Sequence, residues 1–500
     1  MNLSDLIDRN AAFTPEKDAL RYQGASLSYA ALSGRIGATA AALSGHLGVR
    51  PGDRVAILSA NHPDYLVLLF ACARLGAMLV PLNWRLAAAE QRYILEDAGA
   101  RTLVVQEAFN PVCGDLPQAM DLVGLNHVPE GGQSFAELIA DVPALADRPS
   151  ELGAPLLIVY TSGTTGRPKG AVLTQQALLT NAMMSQHMHA MTTADHVLTV
   201  LPFFHVGGLN IQTTPALILG ATVTIHPRFA PDAALQALSD DRPTLTVLVP
   251  ATIQALLDHP DWGTTDLSSL RAVSTGSTIV PQALVDALTA RGVPVLQVYG
   301  ATETCPIAVY TRIDGDCARP GSAGLPGLLC DAMIADDAGS ALPTGVHGEV
   351  LVRGQNVLIE YWRNPDATRE ALRDGWFRTG DIGSRDADGH FFIHERLKNM
   401  IVSGGENIYP AEIERVLLTH EAVREAAVIG VPDPRWQEAP VAFVVCQDGC
   451  SVNEDDLRRH LVGQLARFKI PRKFLFVNDL PRNVMGKVQH FRLREDWRET

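Results

Sequence analysis

The sequence predicts an α/β protein with a large N-terminal region of layered α/β subdomains and a small C-terminal α+β domain. Three observations carry this. Up to about residue 150 helix-like and strand-like stretches alternate, which calls for a mostly parallel sheet covered by helices. A second α/β series begins with the apolar run Leu156-Leu157-Ile158-Val159. After residue 395 the pattern changes to a helix, two long apolar runs and another helix. With 500 residues, 47% of them hydrophobic, the chain fills several cores.

In the first series Tyr29 to Leu47 reads as helix, Arg54 to Leu58 as strand, Pro63 to Leu75 as helix, and Ala77 to Pro81 and Thr102 to Val105 as strands. The apolar stretch Leu66 to Val80 contains Arg74 and is too short to span a bilayer, so it reads as buried helix passing through Gly76 into a strand. Gly114 to Gln133, with its Gly and Pro, reads as an irregular connection, and Ala171 to Leu179 as the start of a helix. In the tail Pro410 opens a helix with Glu412 and Glu414 early and Ile413, Val416 and Leu417 on one face. Strand-like runs follow at Ala426 to Val431 and Val441 to Cys446. Asn453 then caps a helix that turns Leu457, Leu461 and Leu465 inward.

The net charge of −14 excludes general attraction to nucleic acid. The excess acid lies before Arg396, and the tail is close to neutral. Seven cysteines without C-x-x-C pairing suit a reducing compartment, and Met1 to Lys17 lacks a signal-peptide core, so a cytoplasmic location is expected. A homodimer is compatible with the sequence.

The stretch richest in chemistry is Tyr160 to Gly170. Thr161, Ser162, Thr164 and Thr165 supply hydroxyls, Gly163 and Gly166 let backbone N–H groups approach a ligand, and Lys169 adds full charge. Such a loop wraps a polyphosphate. It is not the usual P-loop, since Lys169 is followed by Gly170 in place of Ser or Thr. A flexible linker would have the same composition, but not directly after a buried strand. Further on, Tyr299-Gly300-Ala301-Thr302-Glu303 follows a strand-like run at Val295 to Val298. An aromatic ring there can stack on a purine, a hydroxyl can bond phosphate, and a carboxylate can hold hydrated Mg²⁺.

These motifs, with Trp376 to Asp381 and Pro481 to Lys487, resemble the adenylate-forming superfamily of acyl-CoA synthetases, peptide adenylation domains and luciferases. The resemblance covers essentially the whole chain. It implies an ATP-dependent, AMP-forming acyl-CoA synthetase that converts a fatty, aryl or hydroxycinnamic acid to acyl-AMP and then to a CoA thioester. It implies ATP, Mg²⁺ and coenzyme A as cofactors and co-substrates. It divides the chain into 1–395 (adenylation), a hinge at 396–398, and a mobile lid at 399–500.

Residue by residue, the resemblance gives Lys487, Thr302, Glu303 and His205 to catalysis, with Glu303 the metal ligand. Thr161, Ser162, Gly163, Thr164, Thr165, Gly166, Lys169, Ser277, Tyr299, Asp381 and Arg396 go to ATP or AMP. Lys398 is the hinge, although Glu395 and Asn399 depart from the family pattern around it. Ser403, Gly404 and Gly405 face CoA. The acyl pocket takes His205, Gly207, Gly208, Thr275, Gly276, Gly300, Ala301, Pro306 and Ile307. His187 and His189 have no such support and are expected at the surface.

Cys305 is expected to be a small buried hydrophobe, not a nucleophile. Arg467, Lys469, Arg472 and Lys473 form a basic cluster that is either a solvated face or a contact for CoA phosphates or an anionic membrane. A carrier-loading adenylation protein is the alternative; it would ordinarily place an acid in the pocket to meet an amino group. A non-catalytic nucleotide-binding regulator would be expected to have lost Lys487 or Glu303, and both are present.

Overall fold

The computed structural model describes residues 1–110, 120–145, 150–162, 167–276, 280–315, 319–396, 400–447, 449–481, 488 and 490–498, with only the backbone at 162, 395, 396, 411, 491, 496 and 498. It divides into two compact units: 1–83, 95–159 and 170–395, and separately 84–94, 160–169 and 396–500.

The first unit is built on twisted sheets. Six adjacent strands of a nine-stranded sheet run parallel, in the order Val295–Tyr299, Ala272–Gly276, Leu245–Val247, His196–Thr199, Thr222–Ile225 and Asp18–Tyr22. A second sheet sets Met78–Pro81, Arg54–Leu58, Thr102–Val105 and Asp121–Gly124 in parallel register. An antiparallel sheet is formed from Cys330–Ala335, Gly348–Gly354 and Trp376–Arg385.

The helix Pro63–Leu75 shows how local chemistry sets these elements. Pro63 suits the first turn, His62 Nδ1 accepts from Asp64 N at 3.2 Å, and Gly76 ends the helix at φ 75°. Its side chains from Asp64 to Leu75 are all buried, and Arg74 is matched there by Asp8 at 2.8 Å.

Two sequence expectations fail here. Ala171 to Thr174 is strand, not helix: Pro168–Thr174 pairs antiparallel with Glu360–Tyr361, and the helix Gln175–His189 begins only after Thr174, whose Oγ1 accepts from Ala177 N at 3.0 Å. A hydroxyl able to cap outweighed the apolar run. Within Gly114 to Gln133, Asp121–Gly124 is an ordered strand beside Thr102–Val105, because Leu122 and Val123 continue the buried sheet.

In the second unit Gln437–Cys446 pairs with Val423–Asp433, Ile401–Ser403 and Lys473–Phe476. The helices Pro410–Leu417 and Glu454–Leu461 contribute Ile413, Leu417, Leu457 and Leu461 to its core. Leu465 lies past the end of its helix yet is buried in the same cluster.

Candidate active site

In open parallel sheets ligands gather at the carboxyl ends of the strands. At the end of Val295–Tyr299 the phenol of Tyr299 donates to Asp381 Oδ2 at 2.8 Å, and Asp381 is only 2% exposed. The residues singled out for adenine and ribose are therefore neighbours, although 82 positions apart. Glu303, on the short helix Thr302–Thr304, accepts from Tyr361 at 2.8 Å, and its backbone carbonyl accepts from Leu358 N at 2.8 Å.

The chain after Glu303 is pinned from several sides. Asn356 Nδ2 donates to Thr304 O and Ile307 O at 3.1 and 2.8 Å, and Ile307 N donates to Asn181 Oδ1 at 3.1 Å. Cys305 is fully buried and its thiol pKa is pushed up by burial, which removes it as a nucleophile at neutral pH.

The glycines assigned to the acyl pocket divide. A Cβ on Gly208 would lie 2.4 Å from Pro202 O, on Gly276 2.2 Å from Val298 O, and on Gly300 1.6 Å from Pro306 O, so each is required by close backbone approach. Gly207 alone of the four has room, its nearest neighbour being Ile211 Cδ1 at 3.9 Å. His205 stands at the start of Val206–Gly208, its ring tilted against Phe204 at 4.5 Å between centroids. Thr275 is fully buried inside the strand Ala272–Gly276.

His189 is not at the surface. It is fully buried, and burial pushes its pKa down to about 4, so it is neutral. Its Nδ1 donates to Ser185 O at 2.7 Å, which leaves Nε2 as an acceptor, 2.7 Å from Ser274 Oγ and 3.0 Å from Gln212 Nε2. His187 is half-buried, with its ring nitrogen 2.8 Å from Tyr310 Oη.

In the second unit Gly404 (φ 58°) and Gly405 (φ 83°) form a two-residue turn between Ser403 and Glu406. Positive φ at both positions is the hairpin geometry glycine favours. Trp436 packs 2.7 Å from where a Gly404 Cβ would be. Glu406 is ion-paired with Arg85.

The basic cluster divides: Arg467, Arg472 and Lys473 are exposed and Lys469 is not. Lys469 is 3% exposed, its Nζ 2.5 Å from Glu90 Oε1 and 2.9 Å from Glu412 Oε2, and Arg472 pairs with Asp433. Burial opposes the Lys469 charge, but the two carboxylates outweigh it and raise its pKa. Burial raises that of Glu412. Nothing local to Lys469 signals this, because Glu90 lies 379 positions away.

Gly163, Thr164, Thr165, Gly166, Ser277, Lys398 and Lys487 lie outside the described residues, as do the side chains of Ser162 and Arg396. Thr161 and Lys169 fall in the second unit. Among the described residues no group of three His, Cys, Asp or Glu could hold a metal. Mg²⁺ takes one or two carboxylates and the oxygens of a phosphate, and Glu303 offers such a carboxylate.

Residues 7–362 match the model of the AMP-binding enzyme family and residues 412–487 that of the AMP-binding enzyme C-terminal domain. Indoleacetate–CoA ligase of Aromatoleum aromaticum is 45% identical over 99% of this chain and 98% of that protein. Feruloyl-CoA synthase of an Amycolatopsis species is 42% identical over 96% of each. Among solved structures, o-succinylbenzoate CoA synthetase of Bacillus subtilis, bound to a product analogue, superposes with a TM-score of 0.88 at 32% identity, covering 98% of both chains.

Proposed function

The chain belongs to the AMP-binding enzyme family and is an AMP-forming acid–thiol ligase using ATP, Mg²⁺ and CoA, and from this premise we propose that its acid is aromatic, of the arylacetic or hydroxycinnamic kind. The relatives at 45% and 42% identity are named for acids of those two kinds, whereas a long-chain fatty acid ligase stands at 37%. The observation that carries the enzymatic reading is the Tyr299–Asp381 contact at a strand end, with Glu303 four residues on from the tyrosine.

A carboxylate acylates poorly because its leaving group would be oxide. Attack of its oxygen on the α-phosphorus of ATP expels pyrophosphate and yields an acyl phosphate anhydride; the CoA thiol then takes the acyl carbon and AMP leaves. Both first-step reactants are anions, so the site must bring positive charge and donors to them. In this reading Tyr299 stacks on adenine, Asp381 and Arg396 hold ribose, and Thr302 donates to the α-phosphate. Thr161 to Lys169, with Ser277, cradles the outer phosphates, and Lys487 bridges carboxylate and α-phosphate. Mg²⁺ held by Glu303 supplies charge neutralisation at the phosphates. Tyr361 orients that carboxylate.

Residues 1–395 act as the adenylation domain and 399–500 as a lid turning about 396–398, with His205 at the mouth of the acyl pocket. The turn Ser403 to Gly405 lines the thiol's path, and exposed Arg467 and Lys473 meet CoA phosphates or an anionic lipid surface. Among the described residues no helix is long and apolar enough to cross a membrane.

Lys487→Ala tests the reading. Loss of one preorganised charge is expected to slow acyl-AMP formation by about 10²–10³, while supplied acyl-AMP still yields thioester. Equal loss of both steps would refute the role.

A further inference from the structure

Beside the proposed acyl-facing residues lies a small cavity of about 10 Å³, lined by Leu198, Thr199, Leu201, Gly208, Gln212 and Val247 among others. That is room for one water-sized polar group. Its walls are apolar except for two threonines and one glutamine, and the threonine hydrogens are already used: Thr213 Oγ1 donates to Gly208 O at 2.8 Å, and Thr199 Oγ1 to Thr213 Oγ1 at 2.7 Å. Neither threonine hydroxyl has a hydrogen left to donate into the cavity.

The glutamine is fixed in one orientation. His189 spends its single ring hydrogen on Ser185 O, so its Nε2 can only accept, and Gln212 must turn its NH₂ toward it. The same NH₂ lies 3.3 Å from Ser274 Oγ and 3.4 Å from Thr246 O. Gln212 Oε1 is thereby aimed away from the network, and it is buried without a hydrogen-bond partner on a side chain only 1% exposed. A buried carbonyl left unmatched is unfavourable unless something supplies the donor.

Gly208 is shared between this cavity and the acyl-facing residues. The strands bearing Val247 and Thr199 are second and third from the strand bearing Tyr299. At roughly 4.8 Å per strand these lie about 10 and 14 Å away, the outer reach of a ring-bearing acid whose carboxylate is at Thr302.

We infer that Gln212 determines specificity: its side-chain carbonyl accepts a hydrogen bond from an O–H or N–H on the ring of the acid, so the preferred substrates are aromatic acids carrying such a donor. This rests on the function proposed above and narrows it. Indole N–H and phenol O–H are two donor types that suit a carbonyl acceptor in a largely apolar wall.

The test is kcat/KM for acyl-CoA formation with isosteric pairs, 4-hydroxycinnamate against 4-methylcinnamate and indole-3-acetate against benzofuran-3-acetate. The wild-type chain is expected to favour the donor-bearing member of at least one pair by about 10- to 100-fold. Gln212→Met is expected to bring that ratio within about 3-fold by slowing only the donor-bearing acid. Ser274→Ala, which removes a neighbour of the NH₂ and leaves Oε1 in place, is expected to preserve the ratio even if it lowers stability. Equal turnover of both members by the wild type, or an unchanged ratio in Gln212→Met, would overturn the inference and mark the cavity as a water site. Absence of thioester from every acid would instead overturn the functional reading beneath it.

Discussion

The cluster around His189 and the cluster around Lys469 bury polar groups by opposite means. The first is neutral: imidazole, amide and hydroxyls each with a fixed donor direction, and one carbonyl oxygen left over. The second is ionic: one ammonium between two carboxylates, with Glu90 Oε2 also accepting from Ala466 N at 2.8 Å. Neutral networks are directional, so they can present a specific unmatched atom. Ionic clusters tolerate angular error but depend on charge count.

Breaking the ionic cluster should have the largest effect. Lys469→Met leaves Glu90 and Glu412 facing each other in a buried site and is expected to lower stability by about 3–5 kcal/mol, read from chemical denaturation. Adding Glu90→Gln and Glu412→Gln should recover most of that loss. A loss under about 1 kcal/mol would mean that the cluster is wet and weak.

The neutral cluster should instead respond to pH. His189 has its pKa lowered to about 4 in the folded chain against an ordinary value near 6.5, so between these values the unfolded chain binds more protons. Stability therefore rises with pH through this window and is fully present above about 6.5. The contribution is on the order of 3 kcal/mol. Denaturation midpoints measured from pH 4.5 to 7 should climb in the wild type and flatten in His189→Gln; parallel profiles would show that His189 is not held neutral.

Smaller effects sharpen the contrast at the proposed nucleotide platform, where a neutral phenol meets a carboxylate. Tyr299→Phe removes the donor to Asp381 and should raise KM for ATP by about 10-fold, the value of a hydrogen bond to a charged group. Tyr361→Phe should change the Mg²⁺ requirement by about 5-fold through Glu303, read as the Mg²⁺ concentration for half-maximal rate. No change in either constant would detach these tyrosines from substrate binding.

How much was legible follows from how local each signal is. Pro63 to Leu75 was read to the residue because both ends carry their own chemistry. Tyr299, Glu303 and Asp381 stand out in the sequence because they sit in contiguous motifs, but the contact between Tyr299 and Asp381 crosses 82 residues and only folding reveals it. His189 was misplaced for the same reason: its partner Ser274 is 85 residues away on a strand. Lys469 looked solvated among Arg467, Arg472 and Lys473 because Glu90 is invisible at that distance. Gln212 carries no motif, and only the direction of its neighbours' hydrogens gives it meaning.

The central claim is tested most directly by the products formed from ATP when an aromatic acid and CoA are supplied together. One AMP and one pyrophosphate per acyl-CoA, with acid-dependent pyrophosphate exchange into ATP before CoA is added, is the result this account predicts. Release of ADP and phosphate, or thioester formation without any exchange, would contradict it.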